Sequence, residues 1–167
     1  ATLGLEIIDQ INDMDTKIDN VLISVGGGGL ISGVGAVLKQ IFPNINIIGI
    51  EPDEAKGITD SLKSNQPLQK VYMNSIADSL CAPIHMPYSF SIAKQVIDEM
   101  FNITDKDMSE AMLFAYNQLK LFLEPACVAG FAALKKFKNK NFRGQNTLIL
   151  LCGSNIDFQS WNSIVNH

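Results

Sequence analysis

VLISVGGGGLISGVG, residues 21–35, joins a short β-branched run to a helical pattern through four consecutive glycines, Gly26 to Gly29. Each glycine loses more backbone entropy on folding than any other residue, so four in a row need a reason. VLISV reads as a buried strand, and LISGVGAVLKQIF (30–42) as a helix ended near Pro43. INIIGIEP (45–52) supplies a second strand. Strand, glycine turn, helix and strand within about thirty residues form a βαβ unit, whose crossover requires parallel strands and a right-handed connection.

The same alternation continues on both sides. LGLEIIDQIND (3–13) places apolar residues at helical spacing ahead of the first strand. After the second strand, EAKGITDSLKSN (54–65) reads as a short helix, SIADSL (75–80) as strand or loop, IAKQVIDEM (92–100) as a helix and FNIT (101–104) as a strand. Thr104 and Asp107 make a capping box for a helix over residues 105–122. Pro125 stands at the start of a helix over 126–137. NTLILLCGSN (146–155) runs from a buried strand into a polar turn, and a last short helix follows near Phe158. No repeat or linker divides the chain, which predicts one α/β unit: a mostly parallel open sheet flanked by helices.

Composition excludes several functions. The chain has 167 residues, 47% hydrophobic and 18% charged, enough for a sizeable core. A net charge of −4 and a single arginine, Arg143, leave no basic stripe for a nucleic-acid backbone. Apolar runs fall short of the ~20 residues that cross a bilayer, and no secretory signal opens the sequence, which predicts a cytoplasmic protein. Cys81, Cys127 and Cys152 form no CxxC pair, so reduced thiols are expected. With two histidines, His85 and His167, neither a His-based triad nor a His-rich metal site is indicated.

The glycine run sits where an open α/β sheet binds ligands, beyond a strand's carboxyl end and at a helix N-terminus with unpaired amides. A phosphate cradle is the functional reading, and a tight packing turn the structural one. A nucleoside triphosphate is disfavoured because GxxxxGK[ST] is absent. A dinucleotide remains open: Gly27 and Gly29 give GxG, Ser32 is a small third residue, and Glu51 would take the ribose hydroxyls. The phosphate of pyridoxal phosphate is the third candidate.

SVGGGGLISG (24–33) resembles the phosphate loop of fold-type II pyridoxal-phosphate enzymes, the group of threonine and serine dehydratases and serine racemase. LEPACVAGFAAL (123–134), LLCGSNID (150–157) and SIADSLCAP (75–83) resemble three further segments of that family. The resemblance implies that the amides of Gly26, Gly27, Gly28, Gly29 and Leu30 bind the cofactor phosphate. It places Cys152, with Ser154 as the alternative, opposite the pyridine nitrogen, and Glu124 at an acidic position near the cofactor. Equally, the Glu124 carboxylate could cap the helix that follows. Glu51 resembles a cation-binding position at which Ala55 lends a carbonyl oxygen to a divalent cation, although Gly57 stands where an aspartate is called for. Ser79 replaces a glycine common beside the cofactor. Cys81, Cys127, Met112, Phe114 and Tyr116 read as packing residues.

The resemblance also implies an upstream lysine that forms a Schiff base with the cofactor and moves the α-proton, in a Ser-Phe-Lys type segment, together with an Asn-Gly loop for the substrate carboxylate. Neither segment occurs here, and Lys39, Lys94, Lys120, Lys135 and Lys136 fall on predicted helices or loops. The expectation is therefore the C-terminal portion of a homo-oligomeric ammonia-lyase that turns a hydroxy amino acid into a 2-oxo acid and ammonia, inactive as an isolated piece. The alternatives are a nicotinamide-dinucleotide-binding domain and a non-catalytic assembly domain.

Overall fold

Alternating side chains in the run after Asn20 serve two different cores. In the computed structural model, which describes residues 1–137 and 142–166, β1 (Asn20–Ser24) is buried along its whole length. Val21 and Ile23 point to one layer, with Ile7 and Ile11 of α1 (Thr2–Asp13), Ile31 and Leu38 of α2 (Gly29–Ile41) and Phe90 of α4 (Pro87–Val96). Leu22 points to the other, with Met108 and Met112 of α5 (Asp105–Phe114), Ala129 and Ala132 of α6 (Ala129–Lys136) and Trp161 of α7 (Phe158–Val165). A strand covered on both faces reads as a continuous apolar run, as in a parallel sheet.

Among the described residues four strands pair in the order β3-β2-β1-β4, with β2 spanning Asn46–Pro52, β3 Glu99–Ile103 and β4 Thr147–Ile149. Every pairing is parallel. The expected α/β architecture is thus present, with helices on both faces. From β1 the chain moves outward through β2 to β3 and later returns to the opposite side at β4. That reversal opens a crevice beyond the carboxyl ends of β1 and β4.

Several boundaries differ from the sequence reading. The helix expected over 92–100 is α4, which starts at Pro87 as its first residue and stops at Val96. Residues 99–103 are taken by pairing with β2, and the Asp98 carboxylate accepts the Ile47 amide at 2.7 Å. Tertiary pairing overrides the local helical spacing. The helix expected from residue 54 begins as α3 at Gly57 (Gly57–Ser64), after a short 3-10 turn at Asp53–Ala55. SIADSL is a loop with one 3-10 turn, Asp78–Leu80. Past Phe114 the helix widens into a π turn, Ala115–Leu119, and left-handed Lys120 (φ +59°) ends it. Pro125 does not start a helix: residues 125–128 form turns, and α6 opens at Ala129.

The capping box at α5 forms as read. Thr104 N donates to the Asp107 carboxylate at 2.7 Å, and Asp107 N donates to Thr104 Oγ1 at 3.2 Å. Lys136 pairs with the same carboxylate at 2.7 Å. Burial raises the Asp107 pKa, but Lys136 and the Thr104 bonds outweigh it and hold the group below its ordinary 3.8. Asp107→Ala is expected to cost about 1 kcal/mol, or about 3 °C in melting temperature. Because the folded-state pKa is lowered, this contribution is present above 3.8 and lost as pH falls through the lowered value. Paired melts of both proteins at neutral pH and in acid check this; an unchanged gap in acid would assign the loss to something other than the carboxylate.

Candidate functional site

The glycine turn leaves β1 under tight control. Val25 N donates to Ile50 O at 2.8 Å, and Ser24 Oγ donates to Ala126 O at 2.8 Å, tying the strand end to the 125–128 turns. A Cβ at Gly26 would lie 3.1 Å from Leu80 Cα and from Ser79 O, so the 75–83 loop presses on this residue. Gly28 is left-handed (φ +82°) and caps α2 without a side chain. The other two glycines are different. A Cβ at Gly27 would meet only Ala82 Cβ, at 3.8 Å, and one at Gly29 would meet nothing within 4 Å. Protein packing accounts for Gly26 and Gly28 but demands no glycine at 27 or 29.

Those bare positions face a cleft of about 230 Å³ at the crevice beyond β1 and β4, lined also by Leu30, Ser79, Glu124, Cys127 and Cys152. The first-turn amides of α2 have no side-chain cap, and no acidic residue stands in that turn. An anion is what such a terminus accepts. A larger hollow of about 610 Å³ lies between Ile11, Asp15, Ile41 and Ile45, near the amino ends of the strands and remote from the glycine turn.

Glu124 is held in the cleft from two sides. Asn155 N donates to one carboxylate oxygen at 2.9 Å and Ser79 Oγ donates to the other at 3.3 Å. A Cβ at Gly153 would overlap this carboxylate, so the turn after β4 is shaped around it. Glu124 does not cap the following helix, since α6 opens only at Ala129. Its backbone is spent on the cleft wall instead, with Glu124 N donating to Gly153 O and Glu124 O accepting from Cys127 N. Cys152 lines the cleft; Ser154, the alternative, does not. Burial and then the nearby Glu124 charge push the Cys152 thiol up, so it stays neutral at neutral pH. Cys127 is buried beside it, and burial raises it likewise.

Glu51 and Ala55 lie outside this cleft. The Glu51 carboxylate, 1% exposed, accepts from Ile58 N at 2.7 Å, Thr59 N at 2.9 Å and Thr59 Oγ1 at 2.7 Å. Burial raises its pKa to about 7 against those bonds. Both oxygens are engaged at the α3 N-terminus, so the carboxylate is turned away from any ribose, and the dinucleotide reading loses its acidic group. A divalent cation does not fit either: among the described residues no three His, Cys, Asp or Glu side chains converge on a point. His85, to which the sequence assigns no role, packs beside Gly57. It is 2% exposed, its Nδ1 lies 3.0 Å from Ser61 Oγ, and burial lowers its pKa. Only the glycine at 57 could have pointed to it, since a Cβ there would overlap its ring.

Pyridoxal phosphate fits the cleft. A phosphate at Gly27 and Gly29 would fill space that no side chain takes, and the neutral Cys152 thiol suits an uncharged ring nitrogen. A family model described as "Pyridoxal-phosphate dependent enzyme" matches residues 1–153. The phenylserine dehydratase of Ralstonia pickettii is 36% identical over 157 residues, which cover 94% of this chain and 47% of that one. Among solved structures, the processed form of threonine deaminase isoform 2 from Solanum lycopersicum superposes with a TM-score of 0.87 at 31% identity, covering 99% of this chain and 47% of that one. Maize serine racemase gives a TM-score of 0.85 at 29% identity, covering 99% and 52%. The chain thus spans about half the length of the proteins it matches. Among the described residues no helix is long and apolar enough to cross a membrane.

Proposed function

Because this chain belongs to the pyridoxal-phosphate-dependent enzyme family, we propose that it is the phosphate-binding and ring-binding portion of an ammonia-lyase acting on a hydroxy amino acid. The cofactor supplies an electron sink that eases loss of the α-proton and the β-hydroxyl. The amides of Gly26, Gly27, Gly28, Gly29 and Leu30 bind its phosphate, aided by the α2 dipole. Cys152 faces the pyridine nitrogen as a neutral thiol. Glu124, fixed by Asn155 N and Ser79 Oγ, stands in the cleft wall, where it would orient the ring. No lysine lines this cleft among the described residues, so turnover needs a lysine from outside it.

The observation that carries this reading is the pair of glycines, 27 and 29, that protein packing does not require. Relatives named for threonine and phenylserine support a hydroxy amino acid as substrate. Residues 1–167 are then a partial cofactor-binding domain of a cytoplasmic enzyme with reduced thiols. The exposed apolar side chains of Phe114, Tyr116, Leu119 and Leu121 support self-association.

Titration of the purified chain tests the cradle. Pyridoxal phosphate is expected to bind at least about 10-fold more tightly than pyridoxal, a difference of 1.4 kcal/mol or more, with inorganic phosphate competing. No 2-oxo acid is expected from threonine, serine or phenylserine. Equal affinity for pyridoxal would remove the phosphate role, and turnover by the chain alone would remove the need for an outside lysine.

A further inference from the structure

The family resemblance calls for a divalent cation at Glu51 and Ala55, and the residues present do not fit one. We infer that Gly57 and His85 together replace that cation: the buried imidazole fills the side-chain space beside Gly57 and ties α3 to the 66–85 segment. No divalent ion is taken up here.

Space supports the exchange first. A Cβ at position 57 would overlap the His85 ring and lie 2.9 Å from Val71 Cγ2. An aspartate at 57 and the imidazole therefore exclude each other, and this chain has the imidazole. Hydrogen bonding supports it next. Ser61 Oγ accepts from Leu68 N at 3.1 Å and faces His85 Nδ1 at 3.0 Å, while His85 N donates to Leu68 O at 3.0 Å. Ser61 and Leu68 thus join α3 to both ends of the 66–85 segment around the ring. Charge completes it. A cation would neutralise Glu51, whose carboxylate instead takes three donors from Ile58 and Thr59. A hard cation wants six or more oxygens, and Glu51 has none free.

This inference goes beyond the cofactor reading, and its test needs no cofactor, so the two fail separately. Melts of the purified chain are run with magnesium chloride or calcium chloride against sodium chloride of equal ionic strength. The native midpoint is expected to stay where it is with either cation. Gly57→Ala is expected to lower the midpoint by about 5 °C in the native background, and by much less in a His85→Ala background, where only Val71 still crowds the new methyl. A saturable rise with either cation, abolished by Glu51→Gln, would overturn the inference. Equal losses from Gly57→Ala in both backgrounds would do the same. Should His85→Ala fail to fold, the cation titration of the native chain still decides.

Discussion

Gly29→Asp is expected to abolish pyridoxal phosphate binding while leaving the chain at least as stable to heat. The two effects have opposite signs because the residue answers to two separate demands. As the first residue of α2, Gly29 sits in open space in a helical rather than left-handed conformation. A side chain there meets no steric resistance, and replacing glycine within a helix gains about 0.5 kcal/mol or more. A carboxylate in the first turn also complements the α2 dipole, by about 0.5 kcal/mol. The bound phosphate has the reverse experience. The new side chain fills the space it would occupy and sets a negative charge against it, with repulsion of about 4 kcal/mol at a few ångströms near a protein surface. Allowing for screening, affinity should fall at least about 100-fold. Gly29→Ala separates volume from charge: it should give a smaller loss of affinity, and a gain in stability that comes from helix propensity without the dipole contribution. Absorbance titration with pyridoxal phosphate, paired with thermal melts, reads both. Undiminished affinity in Gly29→Asp would mean the phosphate lies elsewhere.

The glycine run was legible because its excess is a local signal. A strand, four glycines and a helix in that order specify a crossover with the glycines at the strand's carboxyl end, and the structure has it, from β1 through α2 to the parallel β2. Boundaries were less legible, because they depend on partners far away in sequence. Residues 97–100 have helical spacing, yet Asp98 and Glu99 are claimed by Ile47 and Ile48 of β2. Residues 125–128 begin with a proline that favours a helix start, yet Ser24 holds Ala126 O and Gly153 O takes Glu124 N just ahead of them, which makes this backbone the cleft wall. At the site, Glu124 and Cys152 were legible through segments that resemble known ones. The Ser79 bond to Glu124 was not, since nothing in IADSL shows what its hydroxyl meets. His85 was invisible because its role is to fill a space, and only the structure shows that space beside Gly57.

Glu51→Ala is expected to be the most destabilising single change outside the apolar core. The side chain is 1% exposed and satisfies Ile58 N, Thr59 N and Thr59 Oγ1, which would all be stranded in a buried site. An unsatisfied buried donor costs about 1–3 kcal/mol. Some relaxation and water entry would soften the sum, so a loss of about 3 kcal/mol, or about 9 °C, is expected. Glu51→Gln should lose less, because its amide oxygen still accepts while its NH₂ faces one donor unfavourably. The pH dependence distinguishes this account from a cavity effect. Burial raises the Glu51 pKa from 4.5 to about 7, so the folded chain holds a proton that the unfolded chain releases. The stability from that proton is complete below 4.5 and is lost as pH rises through about 7. The gap between the native chain and Glu51→Ala should therefore be widest in mild acid and narrow above neutrality. A cavity alone would leave the gap flat with pH, and a carboxylate ionised throughout would do the same. A narrowing gap thus requires a buried acid whose burial outweighs the donors at the start of α3.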